Sequence, residues 1–569
     1  MPPGAEPNGH GGDGELAAGR GGDGNAAGAR TPAEKAFIAV KQGQWDEASA
    51  LLSASPGVAH EAEGDGYTLL HWAALAGNAA FVSRAIAAGA QVDTAASNGQ
   101  TPFMWATIRG HLATASMLLE ARADPYARDS FGATPLILAI QHQQHALVLL
   151  LAARADSGRL FAQSDENGCG PVHWAAYKGD HTSLKLLDYF DVPFDALDGG
   201  RMTPLHRAVQ ASQTGVLELL LDKQVDPSLA DKQGRSVMDL AEQNQDLCMQ
   251  RALKRHLEVG QAVAAEVVGA GATAEAGLVG RSLARKRQNT DKKQMDELRD
   301  KAVHNAAATF WLVSVSLAVF QYLTDMRSVC WPLAPTAALA FELGVPASLL
   351  LFYLTAWADP GKVAARPKGA SGVEDLLRAL AGTDLDKAAS PPDVGRLCTT
   401  TWVLKGARTK YCQRTGACVE EFDHFCGWLN VAVGRGNHRP FIFLAVVECC
   451  TQLCHMLLCW TAAAELVKAN STGEWLLGVA VDYPILALMV LVHGFTAPGV
   501  VMLTLHQLRL IATNMTTNEM INSFRYQHFW REESGRKVFR NPFHKGNMWR
   551  NCMDFWWTRR RSDVGPGSA

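Results

Sequence analysis

Asp423, His424 and Cys426 stand within four residues of one another. Together they are the residue types that make and break thioesters. The thiolate is the nucleophile, and a free thiol with a pKa of about 8.5 is mostly protonated at neutral pH. A neighbouring imidazole can take that proton, and a carboxylate can hold the imidazole in the required tautomer. Cys426 is therefore the candidate nucleophile, His424 the candidate base and Asp423 its orienting partner. A Cys–His pair alone is more often a structural or metal site, so the surroundings decide.

Those surroundings are membranous. Four stretches near 305–324, 333–357, 441–466 and 479–506 are each about the 20 mostly apolar residues that a ~30 Å hydrocarbon core requires. The links at 325–332 and about 467–477 hold few basic residues. Lys405, Arg408, Lys410, Arg435, Arg439 and Arg559–Arg561 lie in the other segments, as does a basic run from Arg281 to Lys301. The positive-inside rule then puts the N-terminal half, the cysteine segment and the C-terminus in the cytosol. Glu342, Glu448, His455 and Asp482 interrupt the spans and form no matched series along a path, which favours interhelical hydrogen bonds or interfacial placement. Gly260–Gly280 is too rich in Gly and Ala, with Glu266 and Glu275, to count as a further span.

The N-terminal half is periodic. Thr68-Leu69-Leu70-His71-Trp72-Ala73 recurs from Thr101, Thr134, Gly170, Thr203 and Ser236, at spacings of 33, 33, 36, 33 and 33 residues. A T-P-L-H-x-A motif at that period is the ankyrin signature, and such repeats are stable only when stacked. The helical pair from Ala33 to Leu52 reads as a degenerate cap before six regular repeats. Trp72, Trp105 and Trp174 occupy equivalent positions, either packed between repeats or available to capture a peptide.

The chain has 569 residues, more than one ordinary domain. Its formal charge of −3 argues against a general nucleic-acid partner. The 12 cysteines include Cys398, Cys412, Cys418 and Cys426 in a polar stretch and Cys449, Cys450, Cys454 and Cys459 in an apolar one, unlike a secreted disulfide framework. Residues 1–32 are rich in Gly, Ala, Pro and Asp, are expected to be disordered and show no signal peptide.

From Cys398 to Phe441 the chain resembles the DHHC protein S-acyltransferases. With the repeats, it looks most like the ankyrin-bearing palmitoyltransferases of the huntingtin-interacting type. The matching residues are Cys398, Lys405, Arg408, Lys410, Cys412, Cys418, Asp423-His424-x-Cys426, Trp428, Gly434, Gly436-Asn437-His438-Arg439 and Phe441. Asp359-Pro360-Gly361, Thr516-Thr517-Asn518-Glu519 and Asn541-Pro542-Phe543, with Gly546 and Asn551, agree as well. The resemblance implies a palmitoyltransferase in which Cys426 takes acyl from palmitoyl-CoA and passes it to a substrate cysteine. It further implies that Lys405, Arg408 and Lys410 meet CoA phosphates and that Trp428 packs near the start of the acyl chain. Thr517 would bond near Asp423, and Asn551 would brace the turn formed by Thr516, Thr517 and Glu519.

In the family two zinc ions are held by eight Cys and His ligands. Aligned without gaps, the first set falls on Cys398, Thr401, Tyr411 and Cys418, and the second on Cys412, Thr415, Phe425 and Ala432. Three of the eight remain, whereas structural zinc needs four N or S donors. No zinc and no other tightly bound cofactor is therefore expected, and a packed apolar cluster is expected in its place. Phe425 stands where the family has its second His, a zinc ligand and not the base.

The expected fold is all-α: an ankyrin solenoid, then a polytopic helical membrane domain of about four spans with a cytosolic cysteine-rich insert. The expected divisions are 1–32, repeats 33–245, a helical basic connector 246–304, spans 305–357, the catalytic insert 358–440, spans 441–506 and a cytosolic tail 507–569. The leading functional reading is an endomembrane (Golgi or ER) palmitoyltransferase whose repeats recruit protein substrates, with membrane lipids as its surroundings. The alternative is a catalytically inactive membrane scaffold. An ankyrin-bearing channel is disfavoured because no pore loop is present.

Overall fold

A computed structural model describes residues 31–223, 225–254, 306–367, 372–381, 394–533 and 536–558. The expected N-terminal disorder at 1–30, Gly260–Gly280, the basic run Arg281–Lys301 and Arg559–Arg561 lie outside the described residues. The chain divides into two compact units at Ser130 and Phe131.

In the first unit, helices Pro32–Lys41 and Trp45–Ala54 form the capping pair, and two repeats follow, each a pair of short helices. The motif explains its own geometry. Thr101 accepts from the Met104 N–H as N-cap, Pro102 sits in the first turn where no N–H is needed, and Gly110 closes the helix at a φ of 78°. The buried His71 bonds Thr68 on one side and the Gln100 carbonyl on the other (3.1 Å), tying one repeat to the next. The Trp72 and Trp105 indoles pack edge to face at 5.5 Å and donate to Glu63 and Gln100. Both rings therefore serve inter-repeat packing.

The second unit opens with the remaining repeats. His173 Nε2 donates across to the Met202 carbonyl at 3.2 Å, repeating the His71 arrangement. The Trp174 indole donates to Asp165 at 3.0 Å. The one 36-residue spacing is taken up by an additional short helix, Ser157–Phe161, placed after His145–Arg154.

Four helices are long and apolar enough to cross a membrane: Ala306–Leu333, Pro335–Trp357, His438–Leu466 and Pro484–Thr513. The chain is an integral membrane protein. Two sequence expectations need correcting here. The expected link at 325–332 is helical, because the first span continues through a π-turn at Tyr322–Met326 to Leu333. The fourth span starts at Pro484, not near Val479, because a separate helix, Thr472–Asp482, fills the preceding segment. Glu342, Glu448 and His455 are bonded between or along helices, and Asp482 ends the separate helix outside the spans. Glu342 Oε1 accepts from Tyr322, Arg327 and Trp331, each at 2.9 Å. Glu448 accepts from Trp311 and Gln452, and His455 meets His493 at 2.9 Å.

The insert departs from an all-helical description. It consists of short antiparallel hairpins: Lys362–Val363 with Ala417–Val419 and Lys410–Cys412, Leu397–Cys398 with Val403–Leu404, and His424–Cys426 with Val431–Val433. Segments this rich in Gly, Thr and β-branched residues and this short cannot bury a helix face, and close turns suit them better. The Asp359-Pro360-Gly361 turn enters the insert along Gly434 and Gly436. A Cβ on Gly436 would sit 2.0 Å from the Asp359 carbonyl oxygen, and one on Gly434 2.6 Å from that of Pro360. Only glycine permits that approach, and it lets the Gly436 N–H donate to the Pro360 carbonyl at 3.2 Å.

Candidate active site

The hairpin His424–Cys426 with Val431–Val433 sets His424 opposite Val433 and Cys426 opposite Val431. Cys426 is 8% exposed and packs with Val433, Phe441, Ile442, Ile511 and Phe555. The thiol thus sits where the insert meets the ends of the third and fourth spans. Its partner His424 lies two residues back on the same strand, so the two side chains share one face.

Asp423 is fully buried and takes four donors. Its Oδ2 accepts from His424 Nδ1 (2.7 Å), Thr517 Oγ1 (2.8 Å) and Gln507 Nε2 (3.0 Å), and its Oδ1 accepts from the Thr517 N–H (2.7 Å). Burial alone would raise this carboxyl. The His438 and His424 imidazoles and the Thr517 N–H outweigh burial and hold it well below the usual range. Burial likewise pulls His424 down, but the Asp423 carboxylate and the Cys426 thiol together push it up to about 9. The imidazole that holds its proton more firmly than a free one is thus the one nearest Cys426 along the strand.

The segment Thr516-Thr517-Asn518-Glu519 has a clear physical reading. Thr516 is the N-cap of helix Thr517–Asn522 and Glu519 its third residue, forming a capping box. The box satisfies the Thr516 and Glu519 N–H groups and leaves those of Thr517 and Asn518 free. The Thr517 N–H donates to the Asp423 carboxylate and the Asn518 N–H to its backbone carbonyl at 3.0 Å.

Arg408 is not where the sequence expectation put it. Its guanidinium is buried and pairs with both Glu519 oxygens (2.7 and 2.8 Å), bonds Asn514 Oδ1 and its carbonyl, and lies 4.1 Å over the Phe543 ring. With its donors committed inward, Arg408 is a brace between the insert and the capping box and cannot meet a phosphate in this arrangement. Lys410 donates to Asn518 Oδ1, and Lys405 is half-buried on the neighbouring strand's edge. Trp428, in the hairpin turn, is 55% exposed with its ring 6.4 Å from Phe310.

Asn551 is also displaced from its expected role. Its amide donates to the Ala512 carbonyl (2.7 Å) and accepts from the Lys545 N–H (2.8 Å), so it braces the end of the fourth span. The turn itself is held by Asn514, a left-handed cap at φ 51° that donates to the Phe543 carbonyl and to Asp554. Sequence reasoning passed over Asn514, Gln507 and the part His438 plays. An Asn just past a long apolar helix is the signal that was available for the first.

The two positions where the family holds zinc differ. At the first, Cys398 and Cys418 lie with Thr401, whose Oγ1 is 3.3 Å from the Cys418 sulfur. At the second, Cys412 packs with Val419, Phe422, Ala432 and Phe425 in an apolar cluster. One thiol among hydrocarbon offers one donor where four are required, so the residues do not fit that ion. Among the described residues no group of three or more His, Cys, Asp or Glu side chains is placed to share a metal.

Comparison with known proteins agrees with this architecture. The DHHC palmitoyltransferase family matches residues 393–523, and ankyrin-repeat families match 36–129 and 186–241. Palmitoyltransferase ZDHHC17 of Danio rerio is 28% identical over 441 residues, covering 68% of this chain and 65% of the relative. The Homo sapiens protein of that name is 28% identical over 429 residues, covering 68% and 64%. Palmitoyltransferase ZDHHC9 of Danio rerio is 29% identical over 237 residues, covering 39% and 57%. The chain thus spans slightly less than two thirds of the length of the relatives it matches best in extent. Among solved structures, the human ASB11 ankyrin repeat domain covers 40% of this chain and 98% of its own at 23% identity, with a TM-score of 0.35. The chain therefore joins a segment that matches the DHHC palmitoyltransferase family to segments that match ankyrin repeats.

Proposed function

We propose that the chain is a protein S-acyltransferase that moves a fatty acyl group, palmitoyl in the first instance, from acyl-CoA to cysteines of protein substrates. The observation that carries this reading is the buried Asp423–His424 pair beside the Cys426 thiol. In the first step the Cys426 thiolate attacks the thioester carbonyl, a new C–S bond forms, and the CoA sulfur leaves with the proton held by His424. In the second step His424 takes the proton of the substrate thiol, whose sulfur attacks the acyl group. Cys426 is released as a thiolate, paired again with protonated His424. No electrons change hands, and no metal enters either step.

In this reading Lys405 and Lys410 face the CoA phosphates, Trp428 lines the start of the acyl chain, and Thr516, Thr517 and Glu519 hold Asp423. The repeats, over 33–245, recruit protein substrates, while the insert and the tail face the cytosol of an endomembrane such as Golgi or ER. The insert works without the family's zinc ions, its second site being a packed cluster.

The missing ligands are also the specific observation that favours a second reading, an inactive membrane scaffold. One experiment separates the two. Membranes holding the chain are incubated with an alkyne palmitoyl-CoA, and hydroxylamine-sensitive label is measured. Label on the wild type and none on Cys426→Ser is the expected result. An unlabelled but well-folded wild type would leave only the scaffold.

A further inference from the structure

Among the described residues, Gln507 is the one carboxamide that bonds the Asp423 carboxylate. It lies on the fourth span, ten residues before Thr517, and is 1% exposed. Its Nε2 is 3.0 Å from Asp423 Oδ2 and 3.1 Å from Thr517 Oγ1, and its Oε1 is 3.3 Å from His438 Nε2. A carboxylate only accepts hydrogen bonds, so the amide NH2 must face Asp423. The amide oxygen then faces His438, which must carry its proton on Nε2 to donate. His438 opens the third span and is wedged edge-on against Phe555 at 5.1 Å, with its Nε2 4.0 Å from Asp423 Oδ1. A directed chain therefore runs from His438 through Gln507 to Asp423 and meets His424 on the same oxygen.

We infer that Gln507 is a positioning residue for acyl transfer, fixing the Asp423 carboxylate, and through it the His424 ring, from the membrane side while His438 fixes Gln507. The inference rests on the acyl-transfer reading for its role and on geometry for its existence. Thr517 holds Asp423 from the capping box, so the carboxylate is clamped between two elements that come from opposite ends of the same short segment. Losing the amide removes one of the four donors to Asp423 and the Gln507 oxygen that faces His438 Nε2, while Thr517 Oγ1 keeps its own bond to Asp423.

The test compares Gln507→Leu and Gln507→Glu with the wild type, each first shown to insert and to remain monodisperse in detergent. Two rates at Cys426 are followed from pH 5 to 9: acylation by palmitoyl-CoA and alkylation by iodoacetamide. Gln507→Leu should slow both by roughly tenfold or more, the effect of one lost hydrogen bond to a charged group. Gln507→Glu keeps the shape but adds a carboxyl whose ionisable neighbours are Asp423, His438 and, across the carboxylate, His424. When protonated it can donate to Asp423, and when ionised it cannot and repels it. Its rates should approach wild type at the acid end and fall to those of Gln507→Leu as pH rises. Wild-type rates in Gln507→Leu would overturn the inference, as would a Gln507→Glu profile that follows Gln507→Leu at every pH. A wild type that is alkylated but never acylated would remove the acyl-transfer reading, and the alkylation profiles would still decide the role of Gln507 in activating the thiol.

Discussion

The two places where the family puts zinc have diverged in opposite directions. At the first, polar groups persist, and the loop is held from outside. Lys185 donates to Thr399 (3.4 Å), the Tyr189 ring packs on Trp402 (4.9 Å), and the Gly372 N–H donates to the Trp402 carbonyl (2.6 Å). At the second, Phe425 and Ala432 face each other across the catalytic hairpin, and Cys412, Val419 and Phe422 close around them. The first is tied down by contacts from outside the loop and the second by its own packing. The packed site lies directly behind Asp423, His424 and Cys426, so its integrity bears on catalysis, whereas the docked site bears on how the repeats of the second unit are held.

The largest effect expected from this contrast is at Arg408, which joins the strand before the packed site to Glu519. Arg408→Met leaves a buried carboxylate without its partner and should cost about 3–5 kcal/mol. Urea unfolding in detergent reads the cost, and Cys426 labelling should vanish with it. A stable, labelled Arg408→Met protein would mean that the brace is dispensable.

A smaller loss is expected at the packed site itself. Phe425→Ala should cost about 2 kcal/mol, less than a fully buried Phe→Ala change, because the ring is half-buried. Acylation should fall with stability. At the docked site, Tyr189→Phe keeps the ring on Trp402, loses only the hydroxyl's bond to Glu374, should cost about 1 kcal/mol and should leave Cys426 self-acylation near wild type. Equal losses of labelling in these two variants would erase the contrast.

The smallest effect is on pH dependence. The His424 pKa is raised from 6.5 to about 9, so its pairing with Asp423 stabilises the fold fully below pH 6.5 and is lost as pH rises through 9. The stability gap between wild type and His424→Ala should therefore narrow from pH 7 to pH 10. A gap that widens over that range would contradict the assigned ion pair.

Much of this was legible in the sequence, for reasons that differ by element. The repeats announce themselves because the same local solutions recur at one period: Pro102, Pro135, Pro171 and Pro204 in the first turn, His71, His173 and His206 at one position, and Gly77 and Gly110 as helix stops. Asp423, His424, Cys426 and the capping box were legible because short spacing fixes their geometry. Arg408 was misassigned because a basic residue reads as a phosphate ligand until its carboxylate, 111 residues away, is seen. Gln507 was missed because a single amide in an apolar helix has no periodic signature. The contact of Arg154 with the Leu380 carbonyl joins residues 226 positions apart, and no local pattern encodes it. The fourth span was drawn too early because the apolar end of the separate helix Thr472–Asp482 precedes it directly and Asp482, which closes that helix, was read as an interruption within the span.

The central claim is that a packed, metal-free insert presents a thiol able to hold an acyl group. Purified full-length chain, treated with a strong chelator and then offered palmitoyl-CoA, is followed by intact-protein mass spectrometry alongside metal analysis. The account predicts one acyl group at Cys426 with the same yield before and after chelation. Two zinc ions per chain, with acylation lost when they are stripped, would contradict it.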